Sequence, residues 1–119
     1  MNVEIIREYC LSKKGAVEDY PFDEVTLVMK VGGRMFALIS LDNIPLQLNL
    51  KCDPEKAIEL REKYDNVLPG WHMNKKYWNT IVLGGNIRWD DLKDWIDDSY
   101  DEVIKKLIKS EKEKLNKII

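Results

Sequence analysis

The sequence is poor in the residues that build disulfide scaffolds and metal sites. It has two cysteines and one histidine among 119 residues, too few for a disulfide framework or for a zinc site of ordinary ligand count. A phosphate-binding G-x-x-x-x-G-K-S/T loop and a G-x-S-x-G nucleophile elbow are also missing. We therefore interpret Cys10 and Cys52 as reduced thiols, and we expect no metal and no cofactor.

Long apolar runs are missing as well. The apolar runs are far shorter than the roughly 20 residues of a membrane span, and no basic N-terminal stretch leads into an apolar segment. We predict a cytoplasmic protein with no membrane partner. Hydrophobic residues make up 45% of the chain, enough for a core, so we expect one domain over residues 1–119 in which 109–119 form a charged C-terminal extension.

The spacing of apolar residues predicts three helices and five strands. Helices are expected over about 2–14, 53–66 and 90–108, with Asn2 and Asp53 as N-caps. Three strands over 25–31, 35–41 and 46–51 form a meander, and a second hairpin over 71–83 turns near 74–76. The order α-β-β-β-α-β-β-α predicts an α+β fold with two layers, in which the helices cover one face of an antiparallel sheet.

The third predicted strand shows which side of the sheet is free. Its leucines alternate strictly with polar residues, so the leucines face the core and the polar residues face water or a partner. The polar residues are Gln47, Asn49 and Lys51.

The net charge of −2 hides a separation of charge along the chain. Residues 25–52 and 66–89 together contain six basic residues and one acid, a net charge of +5, so the remainder carries −7. Acids at the start of the last helix complement its dipole, and strand lysines protect sheet edges from unwanted pairing. The same separation also suits a local basic surface for an anionic partner such as nucleic acid. Both interpretations stand at this point.

Residues 71–79 concentrate the groups that suit an anionic surface. Lys75 and Lys76 suit phosphate contacts, Asn74 and Asn79 supply hydrogen bonds, and His72 adds a donor. The structural alternative is that Trp71, Met73 and Trp78 pack against the sheet while the asparagine and the lysines form a turn. His72 has no serine or cysteine beside it in the sequence, although Ser40 or Cys52 could approach it in space. We therefore expect no enzymatic activity.

Five strings of residues match a known pattern: Y-P-F at 20–22, K-V-G-G-R-M-F-A at 30–37, L-N-L-K-C-D-P at 48–54, P-G-W-H-M-N-K-K-Y-W-N-T at 69–80 and D-S-Y at 98–100. Through them the sequence resembles the MmcQ/YjbR family of small bacterial proteins, up to about residue 107. The resemblance implies a CyaY-like fold with a double-wing motif and DNA binding without known catalysis. Two positions depart from the family pattern: Lys13-Lys14 replaces a common leucine-proline, and Tyr77 replaces a frequent histidine.

The resemblance and the charge pattern together define a candidate site. The family's polar signature falls on Lys30, Lys51, His72, Asn74, Lys75 and Trp78, to which the charge pattern adds Arg34 and Lys76. The leading hypothesis is a non-enzymatic DNA-binding protein whose two hairpins act as wings. The alternative is a module that docks a protein or peptide on the open sheet face or a sheet edge. In either case we expect a monomer or a weak homodimer.

Overall fold

The computed structural model describes residues 1–107 and 109–116, which form four helices and six strands. In chain order they are α1 (Val3–Leu11), β1 (Val17–Asp19), β2 (Thr26–Val31), β3 (Arg34–Ser40), β4 (Gln47–Lys51), α2 (Pro54–Lys63), β5 (Val67–Pro69), β6 (Trp78–Val82), α3 (Trp89–Lys105) and α4 (Lys109–Asn116). Within these residues, none of the helices combines the length and the apolar character that crossing a membrane requires.

The strands form one antiparallel sheet in the order β1-β2-β3-β4-β6-β5. The predicted α+β class and the meander of three strands are confirmed. Gly32 and Gly33 make the two-residue turn between β2 and β3 with φ values of 58° and 77°, and such a pair of positive angles favours glycine. The edge strand β1 was not predicted, because its three residues are all exposed and show no alternation.

The helix starts follow the predicted capping residues. The Asn2 side chain accepts a hydrogen bond from the backbone N–H of Ile5 at 3.0 Å, and the Asp53 carboxylate accepts from the first turn of α2. The ends differ from prediction by a few residues. In particular, α3 stops at Lys105, since the chain turns before α4 begins.

The predicted C-terminal extension is helical where the structure describes it. Leu115 of α4 is only 9% exposed and packs with the main core, a contact that the charged composition of the segment did not predict. The predictions for residues 108 and 117–119 lie outside the described residues.

The helices pack on one face of the sheet, as predicted. α3 lies against β2, β3 and β4, and α2 lies against β5 and β6. Leu48 and Leu50 point into this core while Gln47, Asn49 and Lys51 are only partly buried, so the predicted alternation of β4 is confirmed.

The opposite face is partly covered by the connection between β5 and β6. This connection, residues 70–77, is named here the 70–77 loop. It brings Met73 and Tyr77 against a small cluster of Val28, Leu38 and Trp78 on the sheet. The predicted second hairpin exists, but its first strand is Val67–Pro69 and does not begin at Trp71. The predicted turn near 74–76 lies inside the loop, where the Asn74 side chain accepts a hydrogen bond from the backbone N–H of Lys76.

Candidate functional site

Near the end of β4, three lysines converge on one aromatic ring. The ammonium nitrogens of Lys106, Lys76 and Lys51 lie 4.3, 5.4 and 5.9 Å from the centroid of the Tyr77 ring. Arg34, at the start of β3, is close enough to act on the charge of Lys51. We name Arg34, Lys51, Lys76 and Lys106 with the Tyr77 ring the Tyr77 cluster.

The charges of the Tyr77 cluster are not neutralised by neighbouring acids. Within the described part of the chain, none of its four cations forms an ion pair. The pKa of Lys51 is lowered, first by burial and then by the positive charges of Lys106 and Arg34. Glu102 acts in the opposite direction on that pKa, but its carboxylate is paired with Lys105 at 3.1 Å. A bound anion would relieve this repulsion.

Each cation of the cluster is held by a different element. Lys51 ends β4, and its backbone N–H donates to the Ser99 hydroxyl of α3 at 2.8 Å. Lys106 follows the last turn of α3. Lys76 is placed by the Asn74 turn, and the preceding residue is tied to α2 because the Arg61 guanidinium donates to the Lys75 carbonyl at 2.9 Å. The sheet, the last helix and the 70–77 loop therefore meet at the cluster.

A groove of about 650 Å³ with both polar and apolar walls, Leu68 and Pro69 among the apolar ones, lies on the open face of the sheet. We name it the open-face groove; its walls include Ser40, Asn43, Gln47, Asn49, Trp71, Lys75 and Thr80. Trp71 is 68% exposed, although its backbone N–H is anchored by the Thr80 hydroxyl at 2.8 Å. Among the residues that the structure describes, no acidic side chain lines the groove.

The predicted site residues do not form a single group in the structure. Arg34, Lys51 and Lys76 come together in the Tyr77 cluster, and Lys75 lies in the groove. The Lys30 ammonium is paired with Asp19 on the edge strand β1 at 3.0 Å. Trp78 is 8% exposed and packs on the sheet.

The contact that the structure gives the His72 ring is with an aromatic neighbour on the 70–77 loop. His72 has a φ of 58°. Its ring makes a T-shaped contact with the ring of Trp71, with the two centroids 4.9 Å apart. Neither Ser40 nor Cys52 hydrogen-bonds to it in the described structure. Burial raises the pKa of the Cys52 thiol to about 11, so this cysteine is a poor nucleophile near neutral pH.

Sequence reasoning missed Lys106 as a site residue. A lysine near the end of a helix interacts favourably with the helix dipole, and this position carries no other signal in the sequence. The turn between α3 and α4 places its ammonium over Tyr77, and that contact joins residues 29 positions apart in the sequence.

The comparisons with known proteins agree with each other. The YjbR family model matches residues 11–102. The uncharacterised protein YjbR of Escherichia coli K12 is 32% identical over 116 residues, covering 97% of each chain. The crystal structure of Deinococcus radiodurans protein DR2400, with family-model domain DUF419, superimposes with a TM-score of 0.91 at 39% identity and covers 97% of this chain and 88% of that one.

A more distant structure supports the fold. A protein from Pseudomonas syringae is 24% identical with a TM-score of 0.73, covering 86% of this chain and 98% of that chain. The expected family resemblance is confirmed by the match of the family model over most of the chain and by the full-length relative. The chain belongs to the YjbR family.

Proposed function

We propose that this protein is a non-enzymatic DNA-binding protein that contacts the phosphate backbone through the open face of its sheet. The observation that carries the proposal is the Tyr77 cluster, in which four cations converge without an acidic partner. Unpaired cations that repel one another are stabilised by a polyanion, and binding releases the counterions of the nucleic acid.

The geometry favours a local contact over a diffuse one. β4, the 70–77 loop and the end of α3 hold three lysines of the cluster near one ring, and Lys75 continues the positive surface into the open-face groove. The acids of the first turns of α3 lie on an element that packs against the opposite face of the sheet. A net charge of −2 is therefore compatible with a basic binding face.

Salt dependence tests the proposal. If the four cations of the cluster and Lys75 each neutralise one phosphate, the logarithm of the affinity for duplex DNA falls with the logarithm of the salt concentration at a slope of roughly −4 to −5. Fluorescence anisotropy with a labelled duplex measures this slope. Absence of binding at low salt would refute the proposal.

A matched pair of variants separates the cluster from general charge. Lys106→Ala removes a cluster cation, and Lys14→Ala removes an exposed lysine at the end of α1. We expect Lys106→Ala to weaken binding and to reduce the salt slope by about one, whereas Lys14→Ala changes neither. Equal losses from both variants would show that only diffuse charge acts.

The alternative partner is a peptide docked in the open-face groove. It is favoured by the exposure of Trp71 and Leu68, which are 68% and 46% exposed at the groove wall. A peptide held mainly by these apolar side chains would bind with little salt dependence and would be insensitive to Lys106→Ala.

A further inference from the structure

The open-face groove adjoins the Tyr77 cluster, and both β4 and the 70–77 loop connect the two. On β4, Gln47 and Asn49 lie in the groove and Lys51 lies in the cluster, each on the same side of the strand and about 6.6 Å from the next. On the 70–77 loop, Lys75 lines the groove and its neighbour Lys76 contacts Tyr77. A ligand that binds the cluster therefore has a direct path into the groove.

The chemistry of the groove differs from that of the cluster. Lys75 is its single charged wall residue among the described residues, and the other polar walls are neutral amides and hydroxyls. Trp71 adds a large exposed aromatic surface. A flat ring that carries hydrogen-bonding groups at its edge fits such walls, because it stacks on an aromatic side chain and pairs with amides.

A hydrogen-bond chain fixes one of the amides. The Thr80 hydroxyl accepts from the backbone N–H of Trp71 at 2.8 Å and donates to the Asn49 side-chain oxygen at 2.5 Å. Because the oxygen of Asn49 is engaged, its NH₂ group is the end available to a ligand. The Gln47 side chain has no hydrogen-bond partner within the described residues, so it offers both a donor and an acceptor.

We infer that the open-face groove holds an unpaired nucleobase, stacked on Trp71 with its hydrogen-bonding edge toward Asn49 and Gln47. The flanking phosphates then lie on Lys75 and on the Tyr77 cluster. The inference rests on the proposed function and names its partner more closely, as a single-stranded segment of nucleic acid. A base inside a duplex has its faces covered by its neighbours and its pairing edge occupied, so it cannot enter the groove.

The size and charge of the groove agree with this occupant. Its volume of about 650 Å³ lies within the usual range of about 300–1,000 Å³ for sites that take small organic groups. The adjoining cations select a polyanion over a neutral peptide. Stacking on an exposed tryptophan is tolerant of sequence, since every base has an aromatic face.

The experiment compares three labelled oligonucleotides of equal length: a thymidine single strand, the same strand with abasic sites, and a duplex. Fluorescence anisotropy at fixed salt gives the affinities of the native protein, Trp71→Ala and Trp71→Phe. We expect the native protein to bind the thymidine strand more tightly than the other two. Trp71→Ala should weaken that binding by about ten- to a hundredfold, while Trp71→Phe retains most of it.

The controls separate the base site from the phosphate site. Trp71→Ala should leave the affinities for the abasic strand and the duplex within about twofold, because neither supplies an unpaired base. Ile58→Ala, which removes an exposed apolar side chain on α2 away from the groove, should change no affinity. Equal binding of the abasic and thymidine strands, or equal losses from Trp71→Ala on all three ligands, would overturn the base site and leave the proposed DNA binding intact. If no ligand binds at low salt, both proposals fail.

Discussion

The Ser99 hydroxyl joins two strands at the point where their direct pairing ends. Ala37 and Leu50 are the last paired residues of β3 and β4, so the next pair would be Phe36 and Lys51. Phe36 is the extra residue of an irregularity opposite β2. The Ser99 hydroxyl lies between the two chains, accepting from the Lys51 N–H at 2.8 Å and donating to the Phe36 carbonyl at 2.5 Å.

Substitution of Ser99 by alanine measures how much this hydroxyl contributes to the stability of the fold. Ser99 is fully buried, so Ser99→Ala leaves the buried Phe36 carbonyl and the partly buried Lys51 N–H without this partner. Each unsatisfied buried group costs about 1–3 kcal/mol. We expect the free energy of unfolding to fall by about 2–4 kcal/mol, measured by urea denaturation with an unchanged m-value.

The control is Ser40→Ala, which removes a partly exposed hydroxyl in the open-face groove. It should change the free energy of unfolding by less than about 0.5 kcal/mol. A loss below about 1 kcal/mol for Ser99→Ala would contradict the reasoning, since it would mean that the strand ends pair directly without the hydroxyl.

Three further predictions concern single side chains. Because burial, Lys106 and Arg34 lower the pKa of Lys51 in the folded state, Lys51→Met should raise stability at pH 7 by less than about 1 kcal/mol. In urea titrations this gain in stability should vanish above the pKa of the lysine. The same substitution should weaken DNA binding. A loss of stability at pH 7 would contradict the prediction. Asp53→Ala should cost about 1 kcal/mol and Asp53→Asn much less, by urea midpoint. Burial raises the pKa of Cys10 to about 12, so Ellman's reagent should modify it only after unfolding.

The features that local chemistry determines could be predicted from the sequence. Asn2 and Asp53 cap helices because their side chains reach backbone N–H groups within the next turn. The alternation of β4 places leucines and polar residues on opposite faces whatever the rest of the chain does. These interactions involve residues only a few positions apart, so the local sequence is enough to predict them.

The features that depend on distant partners could not be predicted. β1 is an exposed strand of three residues that exists through its pairing with β2. β5 contains Pro69, which is tolerated there because β5 lies at the edge of the sheet. Lys106 joins the Tyr77 cluster only because the chain turns after α3, and no periodicity encodes that turn.

Pairing, more than the count of charges, decides which cations are available to an anion. The strand regions contain six basic residues, but Lys30 is paired with Asp19 and Arg88 lies 3.6 Å from an Asp91 oxygen. Of the unpaired ones, Arg34, Lys51 and Lys76 gather where β4, the 70–77 loop and the end of α3 meet, and Lys106, just after the acidic helix, joins them. An anion bound there is expected to raise the pKa of Lys51 toward its ordinary value, so that binding becomes coupled to proton uptake at alkaline pH.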